Sequence, residues 1–446
     1  MRKKRHFTSF QIISLGFLTV ILTGSFLLML PISTNGPGGS SFWDALFTAT
    51  SAVCVTGLVL HDTAQYWSYF GQFVIMILIQ IGGMGVVTVS IAIAMLSGKK
   101  IGFMQRSTMC EAISAHHVGG IVRMTGFILR TTMIIELTGA AVMFPVFCRD
   151  FGAVKGLWYS IFHAVSAFCN AGFDLLGVRS EFSSLTTYAD SPVINITIMA
   201  LIVIGGIGFL TWEDIKTHKM HLKKYRMQSK VILTVTSLLI LLPALYFYFV
   251  EFSADKWSGM STSERILGSF FQSVTPRTAG FNTVDLTALS EAGVFIMIIL
   301  MIIGGSPGST AGGIKTTTLA VLFSSAFSVF RRKGETNCFH RRISDDTVNH
   351  AATILLMYLV LFLGGGIAIS SIEGIPILDC LFETASAIGT VGLTLGITTE
   401  LGFASRLILI VLMFWGRVGG LTLVFAAISG KHSDVAKFPM EKITVG

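Results

Sequence analysis

In this 446-residue chain, the residues whose types and spacing could do chemistry are four glycines, and the chemistry would be that of the backbone. Gly57 follows the run FWDALFTATSAVCVT, Gly172 follows LWYSIFHAVSAFCNA, Gly280 follows RILGSFFQSVTPRTA and Gly392 follows ILDCLFETASAIGTV. The runs align on their glycines without a gap. Phe47, Phe162, Phe270 and Phe382 each lie ten residues before, and Leu58, Phe173, Phe281 or Leu393 comes next. The glycines are 115, 108 and 112 residues apart, so one motif is written four times. A site that strips water from a cation must supply oxygens instead, and stacked backbone carbonyls do so when successive peptides alternate in orientation. That alternation needs left-handed dihedrals, which glycine adopts without a Cβ clash. The pairs ahead of each glycine, Val55-Thr56, Asn170-Ala171, Thr278-Ala279 and Thr390-Val391, differ in side chain, so backbone is what the four share. No ring of Asp or Glu stands at these positions. That disfavours a calcium-type or sodium-type filter and fits a potassium-like ion.

Four such segments need a scaffold that turns them toward one axis. A mean hydropathy of +0.74, with 52% hydrophobic and 13% charged residues, lies outside the soluble globular class. Apolar stretches near 10–31, 70–96, 124–147, 193–212, 231–250, 292–303 continued in 317–330, 351–372 and 403–429 approach or pass the roughly 20 residues that cross a bilayer. The glycine segments, at about 14 residues, are too short to cross as helices. They read as re-entrant helices that return as extended chain, tolerated at membrane depth only where protein or water satisfies the backbone. The expected fold is an all-α integral membrane protein of four tandem span, pore helix, span repeats, pseudo-fourfold around one pore, with eight full spans. The repeats cover 1–98, 99–218, 219–343 and 344–446, with pore loops at 41–58, 156–173, 264–282 and 376–393 and a further loop at 304–316.

The net charge of +8 does not mark a nucleic-acid binder, because its distribution follows the membrane. The N-terminus, 99–123, 216–230, 331–342 and the C-terminal tail hold 22 Lys and Arg, whereas 31–69, 148–191, 251–292 and 373–400 hold six. This positive-inside bias predicts that both termini are cytoplasmic. The start, MRKKRHF, is basic, but the long apolar run after it lacks a small-x-small cleavage site before Pro31 and reads as a retained span. The six cysteines have no metal-type spacing, and the ten histidines form no HExxH pattern; His116-His117 falls in an expected cytoplasmic loop.

The second span of each repeat carries its own glycine cluster: Gly82-Gly83-Met84-Gly85, Gly205-Gly206-Ile207-Gly208, Gly304-Gly305-Ser306-Pro307-Gly308 and Gly416-Arg417-Val418-Gly419-Gly420. In the first two repeats close helix packing accounts for them. In the third, Val294 to Phe330 is about 55 Å long as one helix, too long for a bilayer without strong tilt. At its middle lies Gly304-Gly305-Ser306-Pro307-Gly308-Ser309-Thr310-Ala311-Gly312-Gly313, followed by Lys315. Proline and repeated glycine break a helix, so a polar loop at membrane depth is expected below the filter, where it can obstruct a pore. Arg417 is a cation within the fourth inner span; such a charge faces a cavity or snorkels to the interface. Glu136 reads as a paired carboxylate within an outer span.

The four glycines, the eight-span layout, TPRTAGFNT (275–283) and GGSPGSTAGGIK (304–315) resemble the superfamily of bacterial Trk and Ktr potassium transporters and their HKT relatives. The resemblance covers essentially the whole chain, which is most similar to KtrB, the translocating subunit of Ktr systems. It implies that Val55, Thr56, Gly57, Asn170, Ala171, Gly172, Thr278, Ala279, Gly280, Thr390, Val391 and Gly392 form the ion filter. Glycine at position 57 matches the potassium-selective type, since some sodium-carrying relatives have serine there. It also implies that Gly304 through Gly313, with Lys315, form an intramembrane gate facing Arg417. Relatives often carry proline where Gly420 stands. Further implications are potassium as the transported ion, sodium as an activator, a homodimer, and a cytoplasmic KtrA-type ring that carries the nucleotide. The chain itself has neither GxxxxGK[ST] nor a GxGxxG after a strand. An alternating-access transporter with broken helices is the alternative, though its halves are usually inverted, whereas these repeats share one orientation. An intramembrane enzyme would have to use His163 and Asp174, and His163 aligns with the dissimilar Thr48, Phe271 and Glu383. No span carries the regular arginines of a voltage sensor.

Overall fold

Long apolar helices alternate with short helices and extended loops through the computed structural model, which describes residues 8–97, 101–113, 120–332 and 334–419. His116-His117, Gly420 and the C-terminal tail lie outside the described residues. The chain begins with helix α1 (Ser9–Leu28), α2 (Phe42–Cys54), the single turn α3 (Thr63–Tyr66), α4 (Tyr69–Met84) and α5 (Val86–Leu96). It continues through α6 (Phe103–Ala112), α7 (Ile121–Phe151), α8 (Ala153–Phe168), α9 (Pro192–Gly206) and α10 (Phe209–His218). Next come α11 (Met227–Phe249), α12 (Thr262–Val274), α13 (Glu291–Ile302) and α14 (Thr316–Phe330). A hairpin of two-residue strands, Asn337–Cys338 and Arg341–Arg342, leads to α15 (Asp345–Glu373), α16 (Ile377–Gly389) and α17 (Phe403–Val418).

Among the described residues, helices α1, α7, α11 (with its extension to Ser253) and α15 are long and apolar enough to cross a membrane by length and composition, and there are up to six such spans if each bent pair counts as one. Between 22% and 33% of their most apolar windows is buried. Residues such as Leu137, Leu242, Leu356 and Val360 face outward, as expected when lipid is the solvent. Serines start several of the helices that follow loops. Ser41 accepts the Asp44 N–H, Ser68 accepts that of Gly71, and Ser261 forms a capping box with Glu264.

The inner helices, those that follow the first three glycine segments, are broken. α4 and α5 meet at 98°, as do α9 and α10. The breaks fall at Gly85 and Gly208, with φ of +85° and +91°, values that suit glycine. The clusters in these two helices therefore do more than pack. A Cβ on Gly82 would strike the Val53 carbonyl, and one on Gly205 the Phe168 carbonyl, so both inner helices press against pore-helix ends and then turn. The third inner helix stops at Ile302 and resumes at Thr316, with Ile303 bridging Ile314 in parallel across the gap.

The ungapped alignment needs one correction. Phe47, Phe162 and Phe382 are buried at 1% exposure or less, but Phe270 is 39% exposed, and Phe271 takes the buried position. The reason lies in the return turn. In the first, second and fourth segments the N–H of Thr56, Ala171 or Val391 reaches back five residues to the carbonyl of Ser51, Ser166 or Ser386. In the third, the Ala279 N–H reaches back only four, to Thr275. That turn is one residue shorter, and the helix before it is shifted by one. Phe271→Ala is expected to cost about 3–5 kcal/mol and Phe270→Ala well under half of that. Thermal unfolding in detergent checks the pair, and equal losses would restore the ten-residue register.

Candidate functional site

The four glycine segments leave the C-terminal ends of α2, α8, α12 and α16 as extended chain. Gly57, Gly172, Gly280 and Gly392 have φ of +94°, +71°, +82° and +91°. Two residues before each, Val55, Asn170, Thr278 and Thr390 are also left-handed, with φ between +51° and +68°. A non-glycine residue pays conformational strain there, and its position is not legible from side-chain type. Each segment thus places two positive-φ residues two apart, with one residue of ordinary negative φ between them. Hydroxyls behind the strands hold them in place: Ser51 and Ser386 accept the N–H groups of Gly57 and Gly392 at 3.0 and 2.9 Å. Ser166 and Thr275 donate to the carbonyls of Phe173 and Phe281 at 2.7 and 2.5 Å. These four belong to the candidate site and were not singled out from the sequence. In the corrected register each lies four residues after its buried Phe, and that repeat was the available signal.

The strands close into a ring. A Cβ on Gly57 would lie 2.5 Å from the Ala171 carbonyl oxygen, and one on Gly172 would lie 2.8 Å from that of Ala279. On Gly280 it would strike the Val391 carbonyl, and on Gly392 the Thr56 carbonyl. Four carbonyl oxygens and four glycines thus alternate around one circuit in chain order. The pore helices end here, so the negative ends of their dipoles favour a cation. Ala171, Ala279 and Val391 are fully buried, and the hydroxyls of Thr56 and Thr390 have no hydrogen-bond partner among the described residues. The Asn170 amide and the Thr278 hydroxyl pair across two strands at 3.2 Å.

The segment 303–315 packs directly against this ring. A Cβ on Gly312 would collide with the Thr390 side chain, and Thr310 donates its hydroxyl to the Phe168 carbonyl at 3.0 Å. The loop is well satisfied. Ser306 N–H donates to Gly206 O at 3.0 Å, Gly304 N–H to Ile314 O at 2.8 Å, and the Ser306 and Thr316 hydroxyls pair at 3.0 Å. The Gly308 carbonyl accepts the N–H of Phe209 at 2.7 Å, while Pro307 and Gly308 lie against Gly208 at the bend of the second inner helix. Ser309 donates to Ser306 O, and Lys315 turns back on its own loop to the carbonyls of Ala311 and Gly312 at 2.8 and 3.3 Å. Gly305 and Gly313 lie within the loop's close contacts with Ala311 and Gly304. Arg417 reaches across from α17. Its guanidinium donates to the carbonyls of Thr310, Gly82 and Gly83, the last at 3.0 Å. One cation thereby ties the fourth inner helix, the third repeat's loop and the broken end of α4. On the far side of the loop lies a cavity of about 310 Å³, lined in part by Gly85, Ser309, Lys315, Tyr358 and Arg417. Glu136 accepts from the Gln80 amide at 3.2 Å and from the thiol of Cys169, the residue before Asn170, at 4.0 Å.

Residues 3–435 match the family model of TrkH, a cation transport protein. The chain belongs to the TrkH family. Members of this family are cation transporters, not enzymes, and the TrkH-family chain described here is a multi-pass membrane protein. It is 40% identical over 451 residues to the potassium/sodium uptake protein NtpJ of Enterococcus hirae, covering 100% of this chain and 99% of that one. It is 39% identical over 441 residues to the Ktr system potassium uptake protein B of Bacillus subtilis, covering 99% and 97%. The crystal structure of the potassium transporter TrkH from Vibrio parahaemolyticus superposes with a TM-score of 0.75 over 95% of this chain and 86% of the other. At 19% identity that likeness shows a shared fold.

A side chain at position 57 would meet both an unfavourable φ and the Ala171 carbonyl. Gly57→Ser is expected to weaken discrimination between potassium and sodium. Rubidium uptake with sodium as competitor measures it, and unchanged competition would remove the carbonyl ring from selectivity.

Proposed function

We propose that this chain takes up potassium across the cell membrane through a backbone-carbonyl filter gated by an intramembrane loop. The observation that carries the reading is the closed circuit in which each positive-φ glycine abuts the next strand's carbonyl. Such an arrangement supplies oxygens in place of a hydration shell without any acidic side chain. The names of the relatives support uptake of a monovalent cation: potassium/sodium for the E. hirae protein and potassium for the B. subtilis protein. The twelve residues that end in the four glycines are the filter. Gly304 through Gly313, with Lys315, are the gate, and Arg417 is its latch.

In this reading the chain makes eight spans in four repeats. α1, α7, α11 and α15 are the outer spans, and the broken pairs α4–α5, α9–α10 and α13–α14 with α17 are the inner ones. The basic segments lie in the cytoplasm with both termini. Sodium acts as an activator, and the protein works as a homodimer. Because the relative from B. subtilis is named as part of a Ktr system, we also propose a cytoplasmic KtrA-type ring that binds a nucleotide and controls the gate.

Complementation tests substrate, coupling and partner together. In a strain lacking potassium uptake, expression of the chain is expected to restore growth at limiting potassium, more strongly with sodium and with a ring subunit. Failure under all four conditions, with the protein present in the membrane, would overturn the proposal. For the gate, deletion of Ser306–Gly312 and Arg417→Ala are both expected to raise flux, because each removes a contact that holds the loop under the filter. A lower flux in a folded, inserted protein would make the loop a structural element.

A further inference from the structure

The corrected register brings four side chains into equivalence. Thr48, His163, Gln272 and Glu383 each directly follow the buried phenylalanine of a pore helix, and all four are polar and at most 2% exposed. They stand behind the extended strands, and their partners differ. His163 Nδ1 lies 2.7 Å from the Tyr159 carbonyl, and its Nε2 accepts the Leu175 N–H at 3.4 Å. Both amide atoms of Gln272 are without a partner among the described residues. Glu383 holds two hydroxyls. Thr398 donates to its carboxylate at 3.0 and 3.1 Å, and Thr394 donates to the same Oε1. Thr394 in turn accepts the Gly396 N–H at 2.9 Å and lies 2.9 Å from the Thr398 hydroxyl.

Thr394 is the second residue after Gly392, so this network reaches the filter strand itself. A buried carboxylate is expensive unless fully hydrogen-bonded, and its bonds are shorter and stronger than those of neutral groups. Thr48, His163 and Gln272 stand at this position in the other repeats, and of the four side chains Glu383 is the one that clasps two hydroxyls of the loop after its glycine. Like each strand of the ring, the fourth takes part in two of the four junctions: its Val391 carbonyl abuts Gly280 and its Gly392 abuts the Thr56 carbonyl, so moving it disturbs both. The far end of the strap is held as well. The Thr399 carbonyl accepts from Arg406 at 3.1 Å, and the Arg406 guanidinium lies 3.6 Å from Asp44 at the start of the first pore helix.

We propose that Glu383 is a positioning residue for ion discrimination: its carboxylate clips Thr394 and Thr398 to α16 and holds the fourth filter strand in the geometry that separates potassium from sodium. The proposal rests on the filter reading above. Small displacements matter at such a site, where geometry must be held to about 0.5 Å.

The test is rubidium uptake by cells expressing the full chain, with sodium as competitor, read as the ratio of the two apparent affinities. Glu383→Ala and Thr394→Val are each expected to lower that ratio about tenfold, the effect of losing one charge-assisted hydrogen bond. Thr394→Ser, which keeps the hydroxyl, is expected to retain the native ratio, and Glu383→Gln, which keeps one acceptor, to fall between. A drop in maximal rate or in the amount of protein at an unchanged ratio would overturn the proposal, since a merely structural role does that. A fall with Glu383→Gln but none with Thr394→Val would also overturn it, because the carboxylate would then act through charge and not through the clip. Where Glu383→Ala does not assemble, Thr398→Val carries the same expectation. Gly57→Ser in the same assay separates the two readings. If it shifts the ratio and the clip variants do not, the clip fails and the filter stands; if none shifts it, the filter reading fails.

Discussion

The close approach of four backbone strands is the constraint on which the rest of the structure depends. Each glycine lies so near the next strand's carbonyl that no side chain fits between them. Everything around the ring serves that approach. Pore helices too short to cross a bilayer bring the strands to membrane depth, and hydroxyls at their C-terminal turns hold the extended chain. Small residues on the inner helices, Gly82, Gly205 and Gly416, let those helices press on the pore-helix carbonyls of Val53, Phe168 and Ile388. Phe47, Phe162, Phe271 and Phe382, one on each pore helix, are buried in the core behind the ring.

Much of this was legible because backbone chemistry leaves few choices of residue. A positive φ in a crowded place selects glycine, and four equally spaced glycines therefore stand out. The membrane setting was legible from hydropathy, and the break in the third inner helix from Pro307 and its glycines. The left-handed conformations of Val55, Asn170, Thr278 and Thr390 were not, because the surroundings impose them against the residues' own preference. The shorter turn before Gly280 was hidden for a simpler reason. Phe270 and Phe271 are adjacent and chemically identical, so only burial tells which one is the anchor. The bends at Gly85 and Gly208 were masked by a second, valid use of the same glycines, since a residue that allows close packing also allows a turn.

The loop and Arg417 show how a charge can be kept at depth without an acid. Bending and breaking the inner helices leaves carbonyls with room for a further donor, even where, as at Gly82, a backbone N–H is already bound. The guanidinium collects three of them, at Thr310, Gly82 and Gly83. Its rigid fork suits several acceptors at once, whereas an ammonium would offer only a point charge. The cost of the broken helices and the cost of the buried cation thus offset each other, and both are incurred where the two elements meet.

The four strands belong to a single polypeptide, and the shorter turn in the third shows what that permits. A ring assembled from four identical subunits repeats every feature four times. Four guanidinium groups around one axis would repel one another strongly in a poorly screened interior, and four copies of a ten-residue loop would compete for the same space. Covalent linkage removes that symmetry restriction. Each quarter can then drift in sequence while the ring keeps its shape, so that Arg417, the loop at 303–315 and Glu383 each occupy one quarter without being copied into the other three.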